Sequence, residues 1–232
     1  MKTIFGINKL KKIISDYKSF RYSQKYLKED GYYLYKHDDY AKYKEIQEEG
    51  NKRKINYVWV EEENMNFLAD TIKEKIGSPI FGICHGTRRG LEQKWLSEKL
   101  NCKVIGTEIS ETAIDFPNTI QWDFHEVKKE WISNVDFIYS NSFDHSYKPI
   151  DCINSWMSCL KPNGLCILEH SSNHKPSNVR PLDCFISDVK LMPYLICKWG
   201  NGKFGVTDII TAPKAINDRH EAYFIIIRNF NY

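Results

Sequence analysis

The sequence predicts an α/β fold: a seven-stranded, mostly parallel sheet with helices on both faces and an antiparallel hairpin at one edge, preceded by a helical segment. Three observations carry this expectation. Beyond residue 77, short apolar runs alternate with longer stretches of helical periodicity, the pattern of βα units. The first of these runs, Pro79–Cys84, is continuously apolar, as expected of a strand covered on both faces. The chain has 232 residues, 42% of them hydrophobic and 27% charged, enough for one such domain with an accessory segment.

Residues 1–77 are rich in Lys, Glu and Tyr and read as a mainly helical accessory or cap segment. Positions from Ile4 to Tyr26 mix apolar and basic residues at helical spacing, Asp30-Gly31 marks a loop, and Tyr40–Glu49 is highly charged. Met65, Leu68, Ile72 and Ile76 then recur at helical spacing before Gly77, a left-handed stop. Residues 78–232 form the sheet domain. Pro79–Cys84 is the first strand, and Leu91, Trp95, Leu96 and Leu100 make the helix after it. Lys103–Gly106, Ile120–Trp122 and Val135–Tyr139 are the next three strands. Ile153, Trp156, Met157 and Leu160 form a helical stripe ended by Pro162, and Leu165–Leu168 is the fifth strand. Tyr194–Trp199 and Ala222–Arg228 read as the edge hairpin.

Composition removes several classes of function. With 33 Lys+Arg against 30 Asp+Glu, the net charge of +3 gives no field for a polyanion, so nucleic acid is not the expected partner. The basic positions Lys9, Lys11, Lys12 and the trio Lys52-Arg53-Lys54 read as solvated faces. No apolar run is long enough for a membrane span, and lysines interrupt the apolar start of the chain where a signal peptide would need continuity. Seven scattered Cys without a Cys-x-x-Cys pair indicate a reduced, cytoplasmic protein with no structural zinc. The sequence is compatible with a homodimer.

In an open α/β sheet, ligands lie at the carboxyl ends of the strands. After the first strand comes Cys84-His85-Gly86-Thr87-Arg88-Arg89-Gly90, a glycine turn that lets backbone approach a ligand and presents helix N–H groups to an anion. Glu108, with Ile109 beside it, follows the second strand, where a carboxylate accepts both ribose hydroxyls. Asp123-Phe124 follows the third, an acceptor for an amine beside a flat apolar surface for a purine. Ser140-Asn141-Ser142-Phe143-Asp144-His145 follows the fourth.

This series resembles the class I S-adenosylmethionine-dependent methyltransferases over roughly residues 78–232. The family's acid-x-Gly-x-Gly-x-Gly turn is matched in spacing by Cys84, Gly86, Arg88 and Gly90, with the acid and the middle glycine replaced. Leu160-Lys161-Pro162-Asn163-Gly164 is similar to the family's turn into strand five. A nicotinamide-binding fold shares the strand-two acid, but its fingerprint requires glycine where Arg88 and Leu91 stand. The resemblance implies a Rossmann-like fold, S-adenosylmethionine as methyl donor and S-adenosylhomocysteine as product. It places Gly86, Arg88, Gly90, Glu108, Ile109, Asp123, Phe124, Ser140, Asn141 and Ser142 at the cofactor, with Arg88 able to reach the cofactor carboxylate. Methyl transfer to a hydroxyl needs alignment and a base. His145 is the first candidate, Asp144 its orienting group or substitute, and Glu169, His170 and His174 further lining of the acceptor cleft. No metal is expected, because Asp144 and Glu169 do not complete a carboxylate trio.

The stretch Asp136–His145 with Leu168-Glu169-His170 is similar to methyltransferase-like proteins associated with bacterial surface-polysaccharide synthesis. That implies a small-molecule or glycan-precursor acceptor, methylated on a sugar hydroxyl, with Tyr194, Trp199 and Phe204 as an aromatic face. No Asn-Pro-Pro-Tyr-type signature of base methylation follows the fourth strand. A nucleic-acid methyltransferase using the basic N-terminal segment, and a non-catalytic partner protein that keeps the fold, are the alternatives.

Overall fold

A computed structural model of the chain describes residues 26–230. The expected helical stretch Ile4–Tyr26, with Lys9, Lys11 and Lys12, lies essentially outside them.

The described chain opens differently from expectation. Tyr26–Glu29 (β1) and Tyr32–Tyr35 (β2) form a hairpin around Asp30-Gly31, where Gly31 takes φ +93°. An Asp-Gly pair between aromatic-rich runs is a hairpin signal that the surrounding lysines obscure. With Phe185–Ser187 (β8), the hairpin makes a three-stranded antiparallel sheet, so the segment before residue 77 is not wholly helical. Its two helices do form. The first, α1 (Tyr40–Arg53), is capped by the Asp39 side chain, which accepts the Lys42 N–H at 2.8 Å. The second, α2 (Glu62–Ile76), stops at Gly77, φ +78°.

The main sheet contains Phe81–His85 (β3), Lys103–Glu108 (β4), Thr119–Gln121 (β5), Val135–Ser140 (β6), Leu160–Ser171 (β7), Phe204–Thr211 (β9) and Ala222–Asn229 (β10), in the order β5-β4-β3-β6-β7-β10-β9. The five strands from β5 to β7 are parallel, and β10 runs antiparallel to both neighbours. This is the expected mostly parallel sheet with an antiparallel edge hairpin. The hairpin's members differ from expectation. Tyr194–Trp199 lies inside a helix, α5 (Met192–Gly200), that buries Met192, Leu195 and Ile196 and exposes Tyr194, Cys197 and Lys198. That is a period near 3.6 within a short apolar run. The edge strand is instead β9, whose two buried first residues give way to alternating half-buried and exposed ones.

Two cores sandwich the sheet, and the alternation of each strand feeds both. Ile83, Ile138, Cys166, Leu168 and Ile225 face α4 (Pro149–Cys159) and α5, where Trp156 and Ile153 are fully packed. Cys84, Phe137, Tyr139, Ile167 and Phe224 face α2 and α3 (Leu91–Leu100). Met65, Leu68, Ala69 and Ile72 of α2 are completely buried there. Residues 62–76 are thus a layer of the sheet domain itself, while α1 and the small sheet lie over its carboxyl-end edge. Strand order reverses between β3 and β6, which opens a crevice at that edge.

Candidate active site

The turn from β3 into α3 keeps the conformation that its glycine spacing implies. Gly86, Arg88 and Gly90 have φ +74°, +43° and +73°. Arg88 occupies a left-handed position without being glycine, and two contacts hold it. Its backbone N–H donates to Glu108 Oε2 (3.2 Å), and its Nη1 donates to the Tyr57 carbonyl (2.9 Å). Gly86 is close to the 140–142 turn, whose Ser142 Oγ donates to the Gly86 carbonyl at 3.0 Å. A Cβ on Gly86 would strike Ser142, so this close approach also requires glycine.

Two hollows that share part of their lining lie over the turn. The smaller, about 50 Å³, is lined by Gly86, Arg88, Glu108, Ile109, Asp123, Phe124, Ser142 and His145, and roofed by Tyr43, Gln47, Gly50 and Asn51 of α1. The larger, about 500 Å³, shares Lys54, Gly86, Arg88, Ser142 and His145 with it. Most of the expected cofactor residues therefore converge on one place. Gly90 lies just beyond, heading α3. Asn141 lines the larger chamber, and its Nδ2 donates to Glu92 Oε1 (3.4 Å). Ser140 is buried beneath, its hydroxyl bridging the His85 carbonyl and the Ser142 N–H at 3.0 Å each.

Glu108 is buried, which raises its pKa; the Ser110 and Arg88 N–H groups on its two oxygens oppose the rise. Asp123 accepts from the Tyr40 hydroxyl (2.7 Å), the His125 N–H (2.9 Å) and His125 Nδ1 (2.7 Å). Burial works to raise its pKa, but His125 and Tyr40 outweigh it and hold the carboxyl below its ordinary value. Phe124 packs edge-on to Trp156 beside His85.

His145 stands where the two hollows meet. The Gln47 side chain donates through Nε2 to the Leu182 carbonyl (2.9 Å), so its Oε1 is free to accept from His145 Nδ1 (2.7 Å). That fixes the tautomer: Nδ1 carries the hydrogen, and Nε2 faces Asp144 Oδ1 at 3.9 Å and Asp183 Oδ1 at 3.7 Å. Asp144 also meets His174 Nε2 at 3.5 Å, and Asp183 is held by the Arg180 guanidinium. Burial pushes the Asp144 pKa up, but the positive fields of His145 and His174 and the His174 hydrogen bond bring it below the usual range. His174 is raised on balance, because Asp144 outweighs its burial. Asp144, His145 and Asp183 have donor atoms within 4.8 Å of one another and are the group with metal-ligand spacing among the described residues. Their two carboxylates are already balanced by His174 and Arg180, which gives a cation little uncompensated charge to attract.

His170 does not line either hollow. It sits behind them on β7, its Nε2 donating to the Ser187 carbonyl (2.9 Å) and its Nδ1 2.5 Å from His174 Nδ1; burial lowers its pKa to about 3. Glu169 is likewise internal and accepts the Tyr139 hydroxyl at 2.7 Å. The aromatic face also differs from expectation. Phe204 is core, Trp199 packs against Tyr32 and Phe185, and Tyr194 donates to Asp30 on the surface (2.6 Å). Tyr57 and Trp59 line the chamber instead. Arg53 and Lys54, read from sequence as a solvated face, line it too, as do Asn173, Asn178, Arg180 and Asp183.

No protein-family model matches the chain, and no curated protein sequence does. Solved structures do match. The 1,6-didemethyltoxoflavin-N1-methyltransferase of Burkholderia thailandensis, solved with its substrate and S-adenosylhomocysteine, superimposes with a TM-score of 0.65 at 12% identity, over 89% of this chain and all of that one. The N-methyltransferase NodS of Bradyrhizobium japonicum, with S-adenosylhomocysteine, gives 0.57 at 10% identity over 80% of this chain and 99% of its own. The geranyl diphosphate C-methyltransferase of Streptomyces coelicolor, with Mg2+, geranyl diphosphate and S-adenosylhomocysteine, gives 0.54 at 11% identity over 71% and 79%. The fold is that of the S-adenosylmethionine-dependent methyltransferases. No helix among the described residues is long and apolar enough to cross a membrane.

Proposed function

We propose that the chain is an S-adenosylmethionine-dependent methyltransferase that methylates a hydroxyl of a small polar acceptor, in the first instance a sugar hydroxyl of a nucleotide-sugar or surface-glycan precursor. The observation that carries the reading is that the two hollows share Lys54, Gly86, Arg88, Ser142 and His145 in their lining. Residues suited to an adenosine line the smaller one, a roomy polar chamber adjoins it, and His145 stands at the junction.

Glu108 would accept the ribose hydroxyls, and Asp123 and Phe124 would hold the adenine by an amine contact and an apolar face. Gly86 keeps the floor free of side chain. The Asp123 oxygen that meets the Tyr40 hydroxyl would have to be shared or released, which couples α1 to cofactor entry. The cofactor supplies a methyl group already activated on sulfonium. The protein's task is therefore to align the acceptor and take its proton. With Nδ1–H tied to Gln47, Nε2 is the nitrogen left to take the acceptor's proton, and the nearby Asp144 and Asp183 stabilise the imidazolium that results. Asn141, Asn173 and Asn178 offer amides to hydroxyls, while Tyr57 and Trp59 offer ring faces to the apolar side of a sugar.

Calorimetric titration with S-adenosylhomocysteine tests the first half. Glu108→Ala should weaken binding by about 1.5–3 kcal/mol, the range for a hydrogen bond to a charged group. Absence of binding to the unaltered protein refutes the reading. Radiolabelled S-adenosylmethionine offered with separate pools of nucleotide-sugars, glycan extract, RNA and protein tests the second half. Label in RNA or protein and never in carbohydrate would overturn the sugar assignment alone. His145→Ala should lower turnover by about 10²–10⁴ with cofactor affinity nearly unchanged, as for loss of a general base.

A further inference from the structure

The chamber is richer in positive charge than its proposed cofactor explains. Five basic side chains line it (Arg53, Lys54, Arg88, Arg89 and Arg180) against three acidic ones, Glu92, Asp144 and Asp183. Two of the acids are committed, Asp183 to Arg180 and Asp144 to His174. The third, Glu92, is buried and its pKa rises to about 8, so it is mostly neutral at pH 7. Arg88 is occupied by the Tyr57 carbonyl. Arg53, Lys54 and Arg89 remain, and none of their side chains has a hydrogen-bonding or ion-pair partner among the described residues.

Like charges gathered along one concave wall repel one another, and the cost grows where water is excluded. Arg53 is exposed, whereas Lys54 is half-buried at the C-terminal end of α1 and its pKa is lowered, by burial first. Arg180 and Arg88 add to the lowering, and Asp183, the strongest of the nearby charges, and Asp144 oppose it. S-adenosylmethionine cannot relieve the excess, because its carboxylate arrives with an ammonium and a sulfonium. The relieving charge must come from the other ligand.

We propose that Arg53, Lys54 and Arg89 form an oxyanion subsite for a phosphate group of the acceptor, which anchors that group while the hydroxyl to be methylated faces His145. A phosphate fits better than a single carboxylate, because its charge near −2 and several acceptor oxygens can engage more than one cation. The subsite stands on the chamber's own side chains, and only the word acceptor rests on the methyltransferase reading.

Inorganic phosphate and pyrophosphate are the probes, added to the whole chain with and without saturating S-adenosylhomocysteine and followed by calorimetry and thermal unfolding. Pyrophosphate should bind saturably and raise Tm. Lys54→Met and Arg89→Met should each weaken it at least tenfold, and Lys54→Met should raise the Tm of the free protein by removing a charge that burial penalises. A residue with only a structural role would not move these two readouts in opposite directions. Unchanged pyrophosphate affinity in both variants, or no saturable binding to the unaltered protein, overturns the proposal. So does loss of pyrophosphate binding on saturation with S-adenosylhomocysteine, which would assign the cations to the cofactor carboxylate. Pyrophosphate binding in a protein that fails to bind S-adenosylhomocysteine supports the subsite and refutes the methyltransferase reading, so the two failures are separable.

Discussion

Replacing Glu169 by Gln should stabilise this protein above neutral pH. Glu169 is buried on β7, where one oxygen accepts the Tyr139 hydroxyl and the other, Oε1, has no partner. Burial raises its pKa from 4.5 to about 7, with the Tyr139 hydrogen bond opposing the rise. The folded state therefore holds a proton that the unfolded chain releases near pH 4.5. Stability from this group is fully present below that value and is lost as pH rises through about 7. A shift of about 2.5 pH units at 1.36 kcal/mol each amounts to about 3 kcal/mol lost by pH 8, with no discount for solvent because the group is buried. Gln keeps an acceptor for Tyr139 and cannot ionise. At about 2–4 °C per kcal/mol for a chain of this size, Glu169→Gln should unfold about 6–12 °C higher than the parent at pH 8. At pH 5 the two should nearly coincide. Calorimetric scans across pH 5–8 decide the matter. A variant equally destabilised at both ends would show that Glu169 is ionised in the fold and that its charge is stabilising.

Gly82→Ala places a Cβ against the Phe137 ring across β3 and β6, so it should cost about 1–3 kcal/mol in chemical denaturation, partly recovered by Phe137→Leu. His85 is buried against the Trp156 ring, 4.7 Å between centroids, and burial lowers its pKa to about 3. Its imidazole NMR signals should therefore not titrate between pH 5 and 8, and a midpoint in that range would contradict the packing. Arg88→Gly suits the φ of +43° yet removes the bond to Tyr57. The global Tm should change little, while the 54–60 loop becomes more open to limited proteolysis. Unchanged cleavage would show that the Arg88–Tyr57 contact does not restrain the loop.

How much of this was legible depends on the range over which each feature is specified. The parallel strands were, because burial on both faces leaves uninterrupted runs such as Phe81–Cys84 and Leu165–Leu168, and βα order then puts Glu108, Asp123 and Ser142 at strand ends. Features set by competing local signals were misread. The run from Tyr194 to Trp199 is short and apolar, which strand and helix share, and only its one-sided burial shows the helix. The roof and far wall of the chamber were out of reach for another reason. Gln47 meets His145 across 98 residues and Tyr40 meets Asp123 across 83, and no local periodicity encodes such pairings. Arg53 and Lys54 look like an ordinary charged helix end until α1 is laid over the strand ends. The first turn joins both kinds of information. Its middle glycine is replaced, yet Arg88 keeps the left-handed backbone, with the backbone N–H on Glu108 and the guanidinium on the 54–60 loop. The same substitution that weakens the motif as a pattern ties this turn to the chamber's mouth, so the proposed acceptor wall and the proposed cofactor floor are held by one residue.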